Sequence, residues 1–368
     1  MKRIGMDIRE FTGKMTGIGN FLYTFLKTMG KKESSRYGFE FILFGNQHTI
    51  IPEDINYHFV MVREILPFYT DQISLLCAIK KYNLDLFFSP YPKIPVFSKV
   101  KKISSIFDLT YLILGQYKNK IKNKIYSYLL LNLYIRNSDK IITLSKNSKK
   151  DIINNFQVSS EKISVVSLCI GENYFQADNE GINSIKKKYN LPKKYILYIG
   201  NSNPHKNLNR LIECYNILPD NIREEYHLVL GGIGGYKPDN IKNIDKKYSP
   251  VLLRYIPNDD LPKLYSGAEL FVFPSLYEGF GLPPLEAMAC GCPVVSSNTS
   301  SMPEVLGDAC AYFNPYDVKE MRYKIEEVLA NQNLKNELKQ RGLDRAKLFK
   351  PESTTEQLLN IFGEIINK

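Results

Sequence analysis

The sequence predicts an alternating α/β chain of two domains, each a doubly wound sheet flanked by helices. Three observations predict it. Short apolar runs recur along the 368 residues between stretches of helical periodicity, and that alternation calls for parallel strands joined by crossover helices. The polar, glycine-containing stretch NYFQADNEGINS interrupts the pattern near the middle, and a chain of this length makes two domains of ordinary size. In FPSLYEGFGLPPLEAMA (273–289), Gly279, Gly281, Pro283 and Pro284 prevent a continuous helix after a short apolar run. A ligand is expected at such a turn, beyond the carboxyl end of a strand.

The elements follow in order. Lys2 to Ile8 is a short apolar strand, then REFTGKMTGIGN leads into the amphipathic helix NFLYTFLKTM. Gly17 and Gly19 allow an anion close to the backbone at that helix start, although a plain tight turn accounts for them equally well. Further strands are expected at 39–45, 57–62, 84–89, 101–107 and 140–145, and the apolar run 162–171 closes the first domain. The second domain is expected to have strands at 195–201, 227–232, 251–256, 270–275, 293–297 and 309–313, with a last helix from about Glu352 to Lys368. The boundaries are then 1–172 for the first domain, 173–190 for a linker, 191–350 for the second domain and 351–368 for the final helix.

Charge is unevenly placed. Between Lys99 and Lys150 the chain has 12 Lys or Arg against Asp108 and Asp139, while the remainder is nearly balanced at 37 against 36. Within it, KNKIKNKIYSYLLLNLYIR puts Ile121, Ile125, Tyr128, Leu129 and Leu133 on one helical stripe with lysines at its start. Such a segment suits an anionic membrane surface; the alternative is a stripe packed into its own domain under solvated lysines. No nucleic-acid-binding motif accompanies the basic patch. The opening MKRIGMDIRE has no signal-peptide core, no apolar run reaches membrane-span length, and the six cysteines form no CxxC. A cytoplasmic protein with reduced thiols is expected, with peripheral contact at the inner face of the membrane as the further reading that the basic region allows. The chain has no Asp-x-Asp, and histidines 48, 58, 205 and 227 show no ligand spacing, so no metal and no cofactor is expected.

Glu278 and Glu286 are separated by seven residues across the broken turn. Glu278 is expected in the turn itself and Glu286 in the first turn of a helix LEAMAC, whose free N–H groups and dipole suit a diphosphate. Ser301, Met302, Pro303 and Glu304 read as a capping box starting a structural helix nearby.

The block resembles the signature of retaining glycosyltransferases of family 4, enzymes of the GT-B fold. The likeness extends from Tyr255 through YIPNDDLPKLYSGAELFVFPSLYEGFGLPPLEAMACGCPVVSSNTSSMPEVLGDA, and upstream YIGNSNPHKN and SDKIITLSKNSKKDI resemble two further landmarks of that family. The resemblance implies two Rossmann-like domains facing across a cleft, with the C-terminal helix crossing back to the first. It implies catalytic roles for Glu278, Lys206 and Asp108. Lys206 would meet the diphosphate, Glu278 the transferred sugar or its phosphate, and Glu286 the ribose hydroxyls. Gly17, Gly19, Gly200, Asn201, Tyr255, Ile256, Gly279, Phe280, Gly281 and Leu282 would complete the nucleotide-sugar site, with Tyr255 and Ile256 beside the base.

Two positions depart from the family pattern. Where many relatives have His before the Asp of SSIFDLTYL, this chain has Phe107, and where many have Arg after the glycine of YIG it has Asn201. Arg254, His205 and Arg210 are the remaining basic candidates beside Lys206. The implied reaction moves a hexose, mannose as first choice, from a GDP- or UDP-linked sugar to a hydroxyl of a saccharide acceptor with retention. A polyprenyl-diphosphate-linked acceptor fits surface polysaccharide or glycolipid assembly. The competing readings are a non-catalytic nucleotide-sugar-binding protein and an epimerase, both of the same fold.

Overall fold

The computed structural model describes residues 1–12, 17–31, 37–53, 57–64, 69–114, 121–234 and 246–368. It divides into two compact units, Met1–Cys169 with Lys350–Lys368, and Ile170–Phe349.

Among the described residues, the first unit is built on seven parallel strands. They are β1 (Lys2–Asp7), β2 (Phe39–Gly45), β3 (His58–Met61), β4 (Leu86–Ser89), β5 (Lys101–Ser105), β6 (Lys140–Thr143) and β7 (Ile163–Val165), in the order β3-β2-β1-β4-β5-β6-β7. Helices cover them, so strands such as β4, all four of whose residues are buried, read as unbroken apolar runs. Helix Gly17–Lys31 inserts Phe21, Leu22, Phe25, Leu26 and Met29 into one core, and helix Pro351–Asn367 adds Leu358, Leu359, Phe362 and Ile365 to it. Pro351 suits the start of that last helix because a first-turn residue needs no N–H acceptor.

The second unit has six parallel strands, β8 (Tyr195–Ile199), β9 (His227–Gly231), β10 (Val251–Leu253), β11 (Leu270–Phe273), β12 (Val294–Ser297) and β13 (Ala311–Phe313). Their order is β10-β9-β8-β11-β12-β13. The winding reverses between β8 and β11, as it does between β1 and β4 in the first unit. Such reversals open a crevice beyond the strand C-termini.

One expectation needs correction. The stretch 173–190, read as a linker for its polarity, contains helix Asn179–Lys188, whose N-terminal Gly181 N–H donates to Asp178 Oδ1 at 2.8 Å. Asp178 as cap, Glu180 in the first turn and Lys186, Lys187 and Lys188 in the last complement the helix dipole. Its one fully buried side chain, Ile185, is enough to seat it beside helix Leu261–Ser266.

The basic region, in turn, is partly internal. Lys102 Nζ donates to the carbonyls of Ser98 and Val100 at 2.7 and 3.0 Å, Lys140 to Glu161 and Lys149 to Ile163 at 2.8 Å each, and Lys101 to Ile365 at 2.8 Å. These lysines cap backbone carbonyls at element ends. Helix Ile121–Asn137 buries Tyr134 and Ile135 and turns Leu129 and Leu133, 60% and 40% exposed, to solvent. Tyr128 stacks on Phe156 at 4.9 Å. The side chains of Ile121 and Ile125, and all of Lys118 and Lys120, lie outside the described residues.

Candidate functional site

The crevice of the second unit forms where β8 and β11 release the chain. Gly200 N–H donates to Gly231 O at 3.0 Å, and a Cβ on Gly200 would lie 2.6 Å from the Tyr198 hydroxyl, so only glycine fits. That hydroxyl donates to Asn201 O at 2.9 Å, and Asn201 Oδ1 accepts the Asn203 N–H at 3.1 Å, closing an Asx turn. Asn207 takes a left-handed φ of 61°, which its Nδ2 secures by donating to Pro274 O and Pro315 O at 3.0 and 2.8 Å. Leu276 N–H donates to His205 O at 2.8 Å. The two loops are thereby laced together, and Lys206 Nζ meets Glu278 Oε1 at 2.6 Å, 5.4 Å above the Phe273 ring.

The turn around Glu278 is held by hydroxyls. Glu278 N–H donates to Ser300 Oγ at 2.9 Å, and the Ser301 hydroxyl lies 2.9 Å from the carbonyls of both Glu278 and Phe280. Ser301 precedes helix Met302–Leu306, yet its hydroxyl accepts no N–H from it. The expected capping box is therefore not formed, because that oxygen is turned to the neighbouring loop.

Gly281, at φ 100°, precedes helix Leu282–Ala289. The prolines thus begin this helix instead of excluding it, since first-turn residues need no N–H acceptor. Glu286 consequently falls in the second turn, one turn later than expected. Pro283 and Pro284 bring no N–H, so the helix N-terminus offers an anion the N–H groups of Gly281 and Leu282 together with its dipole.

Glu286 is half-buried. Its Oε2 accepts the Tyr265 hydroxyl at 3.0 Å, and the Tyr174 hydroxyl makes a second hydrogen bond to the carboxylate. Burial pushes the carboxyl up to about 7, against the pull of both phenols. Neither tyrosine was legible as a site residue, since Tyr174 falls in the stretch read as a linker and Tyr265 reads as core. The Gly231–Gly234 loop was also missed. The repeated glycines of GGIGG were its signal, and Gly232, at φ 79°, approaches the Gly200 backbone closely.

The other expected residues divide between the units. Tyr255 is 72% exposed beside buried Ile256, and Arg254 is exposed. Phe280 is buried edge-on against Phe349 at 5.7 Å, which leaves its backbone rather than its ring for a ligand. Gly279 is buried and Leu282 half-buried. Arg210 donates to Asn207 Oδ1 at 2.9 Å and lies over the Tyr316 ring.

In the first unit, Gly17 and Gly19 occupy the first turn of their helix; residues 13–16 of the glycine loop are outside the described residues. Exposed Asp108 accepts the Thr110 N–H at 2.9 Å, and Phe107 packs edge-on against Phe21 at 5.7 Å. Beyond β1 lies a charged cluster that the sequence did not reveal. Arg9 pairs with buried Asp7 and Asp71 at 2.6 and 2.7 Å, with the Tyr91 ring beneath its guanidinium. Among the described residues no group of His, Cys, Asp or Glu is placed to hold a metal ion.

Comparison with known proteins gives this geometry a context. Residues 181–345 match the family model described as glycosyl transferases group 1. The chain is 37% identical over 227 residues, 60% of each chain, to O-antigen chain mannosyltransferase B of Escherichia coli. It is 34% identical over 241 residues to the serotype-specific mannosyltransferase WbdA of the same species, covering 62% of this chain and 29% of that protein. The match thus spans less than two thirds of the length of these relatives. Among solved structures, Anabaena Alr3699/HepE in complex with UDP superposes with a TM-score of 0.77 at 15% identity, covering 99% of this chain and all of that one. This likeness establishes the GT-B fold.

Proposed function

We propose that the chain, whose residues 181–345 match the family model described as glycosyl transferases group 1, moves a hexose, mannose first, from a nucleotide-sugar to a hydroxyl of a saccharide acceptor. The observation that carries this reading is the set of Lys206, Glu278 and Glu286 around the β8 and β11 crevice of the second unit. The mannosyltransferase names of the two relatives support the sugar, and their O-antigen and serotype descriptions support polysaccharide assembly. The UDP in HepE supports a nucleoside diphosphate donor.

In this reading Lys206 and the N–H groups of Gly281 and Leu282 receive the diphosphate as its charge develops, without a metal. Glu286 accepts the paired ribose hydroxyls, and Glu278 accepts from the sugar. The bond from the anomeric carbon to phosphate oxygen breaks, the acceptor oxygen bonds to that carbon with retention, and the acceptor proton passes to the departing phosphate.

The acceptor is proposed to be lipid-linked and met at the inner face of an anionic membrane. Leu129 and Leu133 are exposed on a helix that has Lys122, Lys124 and Arg136 and no Asp or Glu, and no helix among the described residues is long and apolar enough to cross a membrane. Flotation with vesicles of rising anionic lipid content should show salt-sensitive binding that Leu129→Ser with Leu133→Ser weakens.

Calorimetric titration with GDP, UDP and ADP, followed by turnover assays with the matching nucleotide-sugars, tests the central reading. Glu286→Ala should weaken nucleoside diphosphate binding, while Glu278→Ala should mainly lower turnover. Wild-type behaviour in both variants would sink the assignment.

A further inference from the structure

We propose that Tyr174 and Tyr265 are positioning residues for Glu286, two neutral donors that fix its carboxylate in one orientation and keep it an acceptor for a ligand's paired hydroxyls. The inference rests on the nucleotide reading of Glu286 given above. Tyr265 has no exposed surface; it stands on helix Leu261–Ser266, edge-on to Phe271 at 5.4 Å, and its hydroxyl reaches Glu286 Oε2 at 3.0 Å. Tyr174 comes from the segment that precedes helix Asn179–Lys188, its N–H turned back to Gly171 O at 3.1 Å, and its ring centre lies 6.3 Å from that of Tyr265. Two rigid phenols from separate segments therefore converge on one carboxylate.

Among the described residues, the titratable groups that face Glu286 are these two tyrosines and Cys290, which caps the end of its helix. None of them is cationic. A carboxylate in such surroundings favours its neutral form through burial, and the phenolic donors are what oppose this. Once protonated, the group loses its charge and one of its acceptor oxygens becomes a donor, so it no longer accepts from two adjacent hydroxyls at full strength. The tyrosines act through Glu286 and need not touch the ligand.

The test is the affinity for GDP and UDP measured between pH 5.5 and 9.5 for the wild type, Tyr174→Phe, Tyr265→Phe and Glu286→Gln. Wild-type affinity should fall as pH drops through about 7. In Tyr174→Phe that fall should move upward by about one pH unit, because one opposing hydrogen bond is gone. Affinity at pH 7 then drops several-fold and returns to near the wild-type value at pH 9. Tyr265→Phe should behave alike, and if this fully buried substitution prevents folding, Tyr174→Phe alone decides. An unshifted profile in Tyr174→Phe, or a loss equal at every pH, overturns the positioning role while the reading of Glu286 survives. Glu286→Gln should bind weakly with no such pH dependence; if it keeps the wild-type affinity and profile, the nucleotide reading itself fails, and this inference with it.

Discussion

Lys206 and Glu278 hold one another at 2.6 Å with only 12% and 13% of their side chains exposed. Removing one partner leaves the other in low-dielectric surroundings without compensation, which is costlier than removing both. Lys206→Met should therefore destabilise the second unit by about 3 kcal/mol, and adding Glu278→Gln should recover part of the loss; a double-mutant cycle in denaturant reads the difference. Glu286 has the opposite economy. Its carboxyl titrates at about 7 in the fold against an ordinary value near 4.5, so between these values the folded chain binds more protons than the unfolded one. Stability attributable to this group falls as pH rises across that window and stays reduced above it. Glu286→Gln should accordingly melt higher than the wild type at pH 8 and match it near pH 4, a comparison made by thermal melts at both. Equal offsets at the two pH values would remove this account. Glu278 and Glu286 were legible because their spacing around glycine and proline is carried by the chain itself, whereas only the family resemblance pointed to Lys206. Tyr174 and Tyr265, 112 and 21 residues before Glu286 in the chain, meet it only through tertiary placement, which a phenol in an apolar run does not advertise.

At the scale of elements, apolar runs located as strands twelve of the thirteen among the described residues, because covered parallel sheets bury both faces of a strand. The other, β7, lies in the run 162–171 that was read only as the end of the first domain. The ends were less legible. Several runs continue past the sheet into the loops, as in Gly200–Asn201 and Pro274–Ser275, where the apolar or small character serves tight packing of the crevice rather than strand pairing. The helix after the Glu278 turn was misplaced because proline was read as a breaker, whereas its missing N–H costs nothing in a first turn. What fixes that start is Gly281. Its φ of 100° is strained for any other residue, and a Cβ there would run into the Met302 side chain. Gly281→Ala should cost at least about 2 kcal/mol by combining backbone strain with a steric clash, whereas Ser301→Ala, which removes the donor to two carbonyls, should cost about 1–3 kcal/mol. Denaturant midpoints check both, and an unchanged midpoint for Gly281→Ala would show that the turn relaxes freely.

At the scale of the whole molecule, the chain leaves the first unit at Cys169 and re-enters it at Lys350. Nothing in the amphipathic pattern of the last helix states which sheet it covers; only the family resemblance pointed to the first. The packing supplies the physical reason. Leu358, Leu359, Phe362 and Ile365 are buried in the same core as Phe25, Leu26 and Phe88, the Lys101 ammonium donates to Ile365 O, and the Thr354 hydroxyl donates to Ser167 O at 2.9 Å. At roughly 1.5–3 kcal/mol for each large apolar side chain, this helix contributes on the order of the whole net stability of a domain, about 5–15 kcal/mol. A chain ending at Phe349 should therefore lose the cooperative unfolding of the first unit while the second, whose residues run without interruption from Ile170 to Phe349, keeps its own transition. Limited proteolysis with mass spectrometry separates the outcomes. Rapid cleavage confined to residues before Cys169 is the result expected, and protection of both units in the shortened chain would mean that the last helix covers the first core without holding it together.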